Sequence, residues 1–152
     1  MIKVLFICHG NICRSPMGEY ILKDMVRKRG LEDEFFIASA AVSTEEIGNP
    51  VYPQARAELK RHGIDCHGHR ARQVLPSDYD DFDIIIGMEE RHIRVMLQRF
   101  FGEDKENKLR TCMSFAGRPN ENVDDPWYTG RFEEVYYQIY EACEGLLTEV
   151  MS

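Results

Sequence analysis

The chain predicts an α/β fold, an open four-stranded, mostly parallel sheet with helices on both faces. Three observations point there. Short apolar runs rich in β-branched residues recur along the 152 residues, each bounded by turn-forming residues. Between them lie stretches whose apolar residues step by three and four, the period of an amphipathic helix. The two kinds of segment alternate, which is the order of βαβ units.

Val4-Leu5-Phe6-Ile7 is the first run and predicts a strand buried on both faces. It ends in His9-Gly10-Asn11, a turn. After Ser15-Pro16, Met17, Ile21 and Met25 step by four while Leu22 and Val26 widen the stripe, giving a helix that stops at Gly30. Phe35-Phe36-Ile37-Ala38 is the second strand, followed by a polar stretch through Pro50 and a helix from about Pro53 to Arg61, closed by His62-Gly63. The third strand, Asp83 to Met88, is the clearest. A helix with Ile93, Val95, Met96, Leu97 and Phe100 follows, then a weaker strand near Leu109 to Cys112. Residues 114 to 128 have turn composition and read as a long loop. The last helix, from about Gly130 to Val150, carries Phe132, Val135, Ile139, Cys143, Leu146 and Val150 on one face. Glu133 and Glu134 sit where its dipole favours negative charge. The length fits a single domain spanning residues 1–152.

Composition excludes several functions. Net charge is −7, so the chain lacks the basic surface of a general nucleic-acid or anionic-membrane binder, and an anionic ligand has to be captured locally. No apolar run approaches the roughly 20 residues of a membrane span. Five cysteines, an odd number, and an N-terminus without a secretory signal pattern predict a cytoplasmic protein with reduced thiols. Cys66-His67-Gly68-His69 has no second ligand pair, so neither a metal nor another cofactor is expected.

The chemistry concentrates in Cys8-His9-Gly10-Asn11-Ile12-Cys13-Arg14-Ser15-Pro16, between the first strand and the first helix. Loop N–H groups around a concavity, next to a helix N-terminus, suit an oxyanion such as phosphate. Arg14 can hold two equatorial oxygens with its planar fork. The same field favours a thiolate at Cys8, a nucleophile beneath a bound phosphate. Spacing alone does not select this cysteine, because an arginine also follows six residues after Cys66 and Cys112. Cys8 stands apart by following a strong strand, having Ser15 after the arginine and preceding a clean helix. Expelling a phenolate also needs an acid. Asp125, before Pro126, fits that need, with Asp124 beside it as a rival.

The segment Cys-x-Gly-Asn-Ile-Cys-Arg-Ser-Pro resembles the phosphatase loop of the low-molecular-weight protein tyrosine phosphatases, and Asp125-Pro126-Trp127-Tyr128 resembles the family's second signature. The resemblance covers essentially the whole chain. It implies hydrolysis of phosphotyrosine through a phosphocysteine on Cys8, with Arg14 stabilising charge and Asp125 as general acid and then base. It further implies that His9, Gly10, Asn11, Ile12, Cys13, Trp127 and Tyr128 bind substrate, and that Ser15, Ser39 and His69 join Asn11 in a supporting hydrogen-bond network. Cys8 and Cys13 can form a reversible disulfide in this family. The partners implied are a phosphotyrosyl protein or peptide and the inorganic phosphate released, with a monomer expected.

Two departures stand out. Ser39-Ala40-Ala41 replaces the usual Ser-Ala-Gly, which predicts a different local loop shape. Thr44-Glu45-Glu46 stands where many members place an aromatic residue, which predicts weaker ring stacking and poor attraction of acidic phosphopeptides. Ile12 favours phosphotyrosine, since the related protein arginine phosphatases carry Thr there. An arsenate reductase of the same fold needs redox cysteines in the third quarter of the chain, where residues 67 to 111 hold none. A cysteine phosphocarrier or a silent phosphotyrosine-binding module would have no use for the acid at Asp125 or for a nucleophilic thiol, respectively.

Overall fold

The computed structural model describes residues 1–152. Four strands, β1 (Ile2–Cys8), β2 (Phe35–Ala41), β3 (Ile84–Gly87) and β4 (Leu109–Thr111), form one sheet in the order β2-β1-β3-β4. All three pairings are parallel, so the sheet is wholly rather than mostly parallel. Six α-helices connect or flank them: α1 (Arg14–Lys28), α2 (Pro53–Arg61), α3 (Asp78–Asp81), α4 (Glu90–Met96), α5 (Pro126–Thr129) and α6 (Phe132–Val150).

Alternation along β1 builds both cores. Val4, Phe6 and Cys8 face α1, α2 and α6 in the larger cluster, while Leu5 and Ile7 face Phe82, Ile85 and Met96 on the side of α3 and α4. A central strand with helices over both faces needs apolar residues at every position, which is why Val4-Leu5-Phe6-Ile7 is continuous. No helix is long and apolar enough to cross a membrane.

Several boundaries differ from the sequence expectation. α1 begins at Arg14, ahead of Ser15-Pro16, with Pro16 inside its first turn where a missing N–H does no harm. α4 runs into a π-helical turn at Leu97–Phe101 that Gly102 ends at φ 79°. The expected long loop at 114–128 is corrected at both ends. Cys112–Ala116 forms a 3-10 turn packed against α6, and Pro126–Thr129 forms α5, capped by the Asp125 carboxylate and stopped by Gly130 at φ 74°. α6 starts at Phe132, two residues later than expected.

Gly18 fixes the seat of α1. A Cβ there would lie 2.6 Å from Phe6 Cδ1, so the absence of a side chain lets the helix lie directly on β1 and brings its N-terminus to the end of that strand. Ala41 is paired with Cys8 within β2 and has no left-handed backbone, so the departure from glycine leaves the strand intact there. The backbone of residues 72–74 continues from Ala41 by Ala41 N–H to Arg72 O and Val74 N–H to Ala41 O, both 2.8 Å.

Candidate active site

The carboxyl end of β1, the N-terminus of α1 and the segment before α5 enclose a cleft of about 260 Å³. Cys8 and Arg14 lie at its floor, Asp125 on one wall, and His9, Gly10, Ile12 and Cys13 around the loop. Trp127 and Tyr128 stand at the mouth, both exposed, with ring centroids 5.0 Å apart in an edge-to-face arrangement. Glu45 and Glu46 complete the rim, and Glu45 Oε2 lies 2.9 Å from His9 Nε2. Asp124 is exposed and does not line the cleft.

Asn11 lies beneath the loop rather than in the cleft. It is fully buried with φ 61°, a left-handed conformation that asparagine tolerates better than most residues. Its N–H points at Cys8 Sγ, 3.3 Å away. The N–H of Arg72 donates to Asn11 Oδ1 at 3.1 Å, which fixes the amide orientation and turns both Nδ2 protons inward. They donate to Ser15 Oγ at 2.8 Å and Ser39 Oγ at 2.9 Å. The Ser39 hydroxyl in turn donates to Glu19 Oε1 at 2.5 Å. Ser15 Oγ, receiving from Asn11, lies 3.0 Å from Cys8 Sγ and 3.4 Å from the Ala40 carbonyl, the two places its one proton can go. His69 donates through Nε2 to the Asn11 carbonyl at 2.8 Å, and its Nδ1 faces Glu19 Oε1 from 4.0 Å. A buried network in which each member has a partner holds one geometry.

Arg14 is 1% exposed, and its charge is held from behind. Nη1 donates to Glu89 Oε2 and, at 2.8 Å, to the Val123 carbonyl, which uses both Nη1 protons. Nη2 lies 3.5 Å from Asp125 Oδ2. The edge formed by Nε and Nη2 therefore remains for an oxyanion in the cleft. Burial works against the guanidinium charge, but Cys8, Glu89 and Asp125 outweigh it and raise its pKa. Asp125 Oδ1 is fixed by the Trp127 N–H at 3.1 Å.

Glu19, Glu89, His92 and the Val123 carbonyl did not emerge from sequence reasoning. Glu89 follows β3 at the same carboxyl edge of the sheet as Cys8, and that position was a usable signal. Glu19 had none, because its Lys23 pairing at four residues' spacing reads as an ordinary surface pair.

Burial acts in the same direction on all four remaining thiols. Burial pushes Cys13 well up, helped by Cys8, and it also raises Cys66, Cys112 (to about 12) and Cys143. Burial, then Arg14, pushes His92 down to about 3. Burial opposes the Glu89 charge, but hydrogen bonds from Arg91 and Arg14 hold that carboxyl down to about 2. Between pH 6.5 and 3 the unfolded chain binds a proton at His92 that the folded chain refuses, so stability is full above that window and falls through it. The Glu89 contribution is present above its ordinary 4.5 and lost as pH falls toward 2. The urea midpoint is expected to decline below pH 6.5, and His92→Gln to flatten the decline above pH 4.5. An unchanged slope in that variant would contradict the assignment.

A strand-end thiol, a buried arginine and a helix N-terminus around one cleft make an oxyanion site on a parallel α/β sheet. The chain belongs to the low molecular weight phosphotyrosine protein phosphatase family, whose model matches residues 3–152. It is 41% identical over 151 residues to the low molecular weight protein-tyrosine-phosphatase YfkJ of Bacillus subtilis, covering 99% of this chain and 96% of that protein. The crystal structure of YfkJ superposes with a TM-score of 0.93, covering 99% and 95% of the two chains. The low molecular weight phosphotyrosine protein phosphatase of Gallus gallus is 38% identical, covering 95% of this chain and 93% of its own. A Drosophila arginine phosphatase has a similar structure, with TM-score 0.89, 33% identity and 99% of both chains covered.

Proposed function

We propose that the protein hydrolyses phosphotyrosine in proteins or peptides through a phosphocysteine on Cys8. The observation that carries this reading is the convergence of Cys8, Arg14 and Asp125 on one cleft with an aromatic mouth. The Cys8 sulfur attacks phosphorus in line as the P–O bond to the tyrosine breaks. Arg14, through Nε and Nη2, and the loop N–H groups hold the equatorial oxygens, where negative charge is greatest. Asp125 gives its proton to the departing phenolic oxygen. Water then attacks the phosphocysteine while Asp125 takes its proton, and inorganic phosphate leaves. The Ser15 hydroxyl steadies the thiolate that departs in this second step. The electrostatics are supplied by Arg14, the amides and the helix end.

Trp127 and Tyr128 offer faces for an aryl ring, and Ile12 narrows the cleft with an apolar side chain. Glu45 and Glu46 repel acidic residues flanking the phosphotyrosine. The similarity to an arginine phosphatase makes phosphoarginine the second reading, and Ile12 favours tyrosine. Hydrolysis of matched phosphotyrosine and phosphoarginine peptides separates them. Phosphotyrosine is expected to be cleaved at least about tenfold more efficiently, the scale on which one misfitting side chain changes discrimination. Preference for phosphoarginine would reverse the assignment.

A further inference from the structure

We propose that His92 is a positioning residue for Arg14, its Nε2–H closing onto the Glu89 carboxylate when Arg14 turns toward a bound phosphate. The inference rests on the reading of the Cys8 loop as a phosphate site.

The tautomer follows from geometry. The Glu89 N–H, at the start of α4, donates to His92 Nδ1 at 3.1 Å, so the neutral ring carries its proton on Nε2. His92 is 1% exposed, and Nε2 is the one buried side-chain nitrogen or oxygen in the protein that lacks a hydrogen-bond partner. A buried donor left empty is costly enough to call for an explanation. Its neighbour is Glu89 Oε2, 3.9 Å away, too far for a hydrogen bond and within reach of a small movement.

That oxygen is now occupied. Glu89 Oε2 accepts from Arg14 Nη1 and, at 3.3 Å, from Arg91 Nη2, while Oε1 accepts from Arg91 Nε at 3.1 Å. Arg14 Nη2 leans toward Asp125. In the proposed movement Nη2 turns from Asp125, 3.5 Å away in this structure, toward the phosphate, and the same turn draws Nη1 away from Glu89. The lone pair released on Glu89 then faces the unpaired Nε2–H. Exchange of one donor for another keeps the carboxylate satisfied in both states, so Arg14 can move without stranding a buried charge. A neutral donor suits the position, because Glu89 already pairs with both Arg14 and Arg91 and a further cation would compete with Arg14 for it.

The test is the His92 side-chain 1H–15N resonance of the wild-type protein, followed as inorganic phosphate is added, with the backbone amides of Gly10 and Asn11 as reporters of the loop. The expected result is a downfield shift of the Nε2 proton that saturates together with those amides. Loop amides that saturate while the His92 resonance stays still would overturn the inference and leave the phosphate site standing. Loop amides that do not respond would overturn both. Kinetics provide a second readout. His92→Gln can accept from the Glu89 N–H and donate to its carboxylate, as a helix-start Gln does. His92→Met can do neither. The Met variant is expected to lose about tenfold in kcat on p-nitrophenyl phosphate, the order of one charge-assisted hydrogen bond, with KM changed less. The Gln variant should recover most of that loss, and equal losses in the two variants would reduce His92 to packing.

Discussion

Replacing Cys8 with serine is expected to abolish turnover of p-nitrophenyl phosphate, a loss of at least about 10⁴-fold, the scale seen when a covalent nucleophile is removed. The reason is local. Ser15 Oγ at 3.0 Å and the Asn11 N–H at 3.3 Å both contact the sulfur, which is the nucleophile of the proposed reaction. A serine hydroxyl keeps its proton and has no base beside it in the floor of the cleft. Inorganic phosphate should still bind, because Arg14 and the amides are untouched, and phosphate titration of the variant checks this directly. Retained turnover in Cys8→Ser would remove the nucleophile from the account.

Asp125→Ala is expected to cost about 10²- to 10⁴-fold in kcat on phosphotyrosine, the usual contribution of a positioned general acid. The loss in kcat/KM should shrink as the leaving group improves, since a phenolate of low basicity departs without a proton. A plot of log kcat/KM, which reports the step in which the leaving group departs, against leaving-group pKa should therefore be steep for the variant and shallow for the wild type. Equal slopes would assign the proton to another group. Asp124, exposed and outside the cleft, should tolerate alanine with little effect. Because Asp125 also caps α5 through the Trp127 N–H, a modest loss of stability of about 1 kcal/mol should accompany the alanine change.

Much of this was legible in the residues. β1 and β3 were plain because a strand covered on both faces must be apolar throughout, and α2 because Pro53 opens it and His62-Gly63 closes it. The Cys8 to Pro16 loop was legible because its groups are contiguous in the chain, so one motif contains thiol, turn residues and arginine. The back wall of the site was not. Glu89, with His92 behind it, reaches Arg14 only because β3 lies beside β1 in the sheet, and Glu19 reaches Ser39 only because α1 packs against β2. Apart from the place of Glu89 just after β3, those contacts follow from tertiary packing and leave no local pattern. The short helices α3 and α5 were hidden for another reason. Four residues are too few to show a period, and α5 exists through one cap and one glycine stop rather than through an apolar face.

The two departures from the family pattern separate in the structure. Ala41 leaves β2 in register with Cys8, whereas Glu45 and Glu46 sit on the rim of the cleft, with Glu45 beside His9. The consequence for substrate choice therefore rests on the rim. Phosphopeptides with neutral or basic flanks are expected to be preferred over acidic ones, and Glu45→Gln with Glu46→Gln to narrow the difference.

The most direct measurement is acid quench of Asp125→Ala during turnover of p-nitrophenyl phosphate, followed by mass spectrometry of the peptide that carries Cys8. Without Asp125 as base the second step slows, and the account predicts one phosphoryl group on the Cys8 sulfur, absent from Cys8→Ser treated in the same way. Phosphate on another residue, or continued turnover with no phosphorylated protein at any time point, would contradict it.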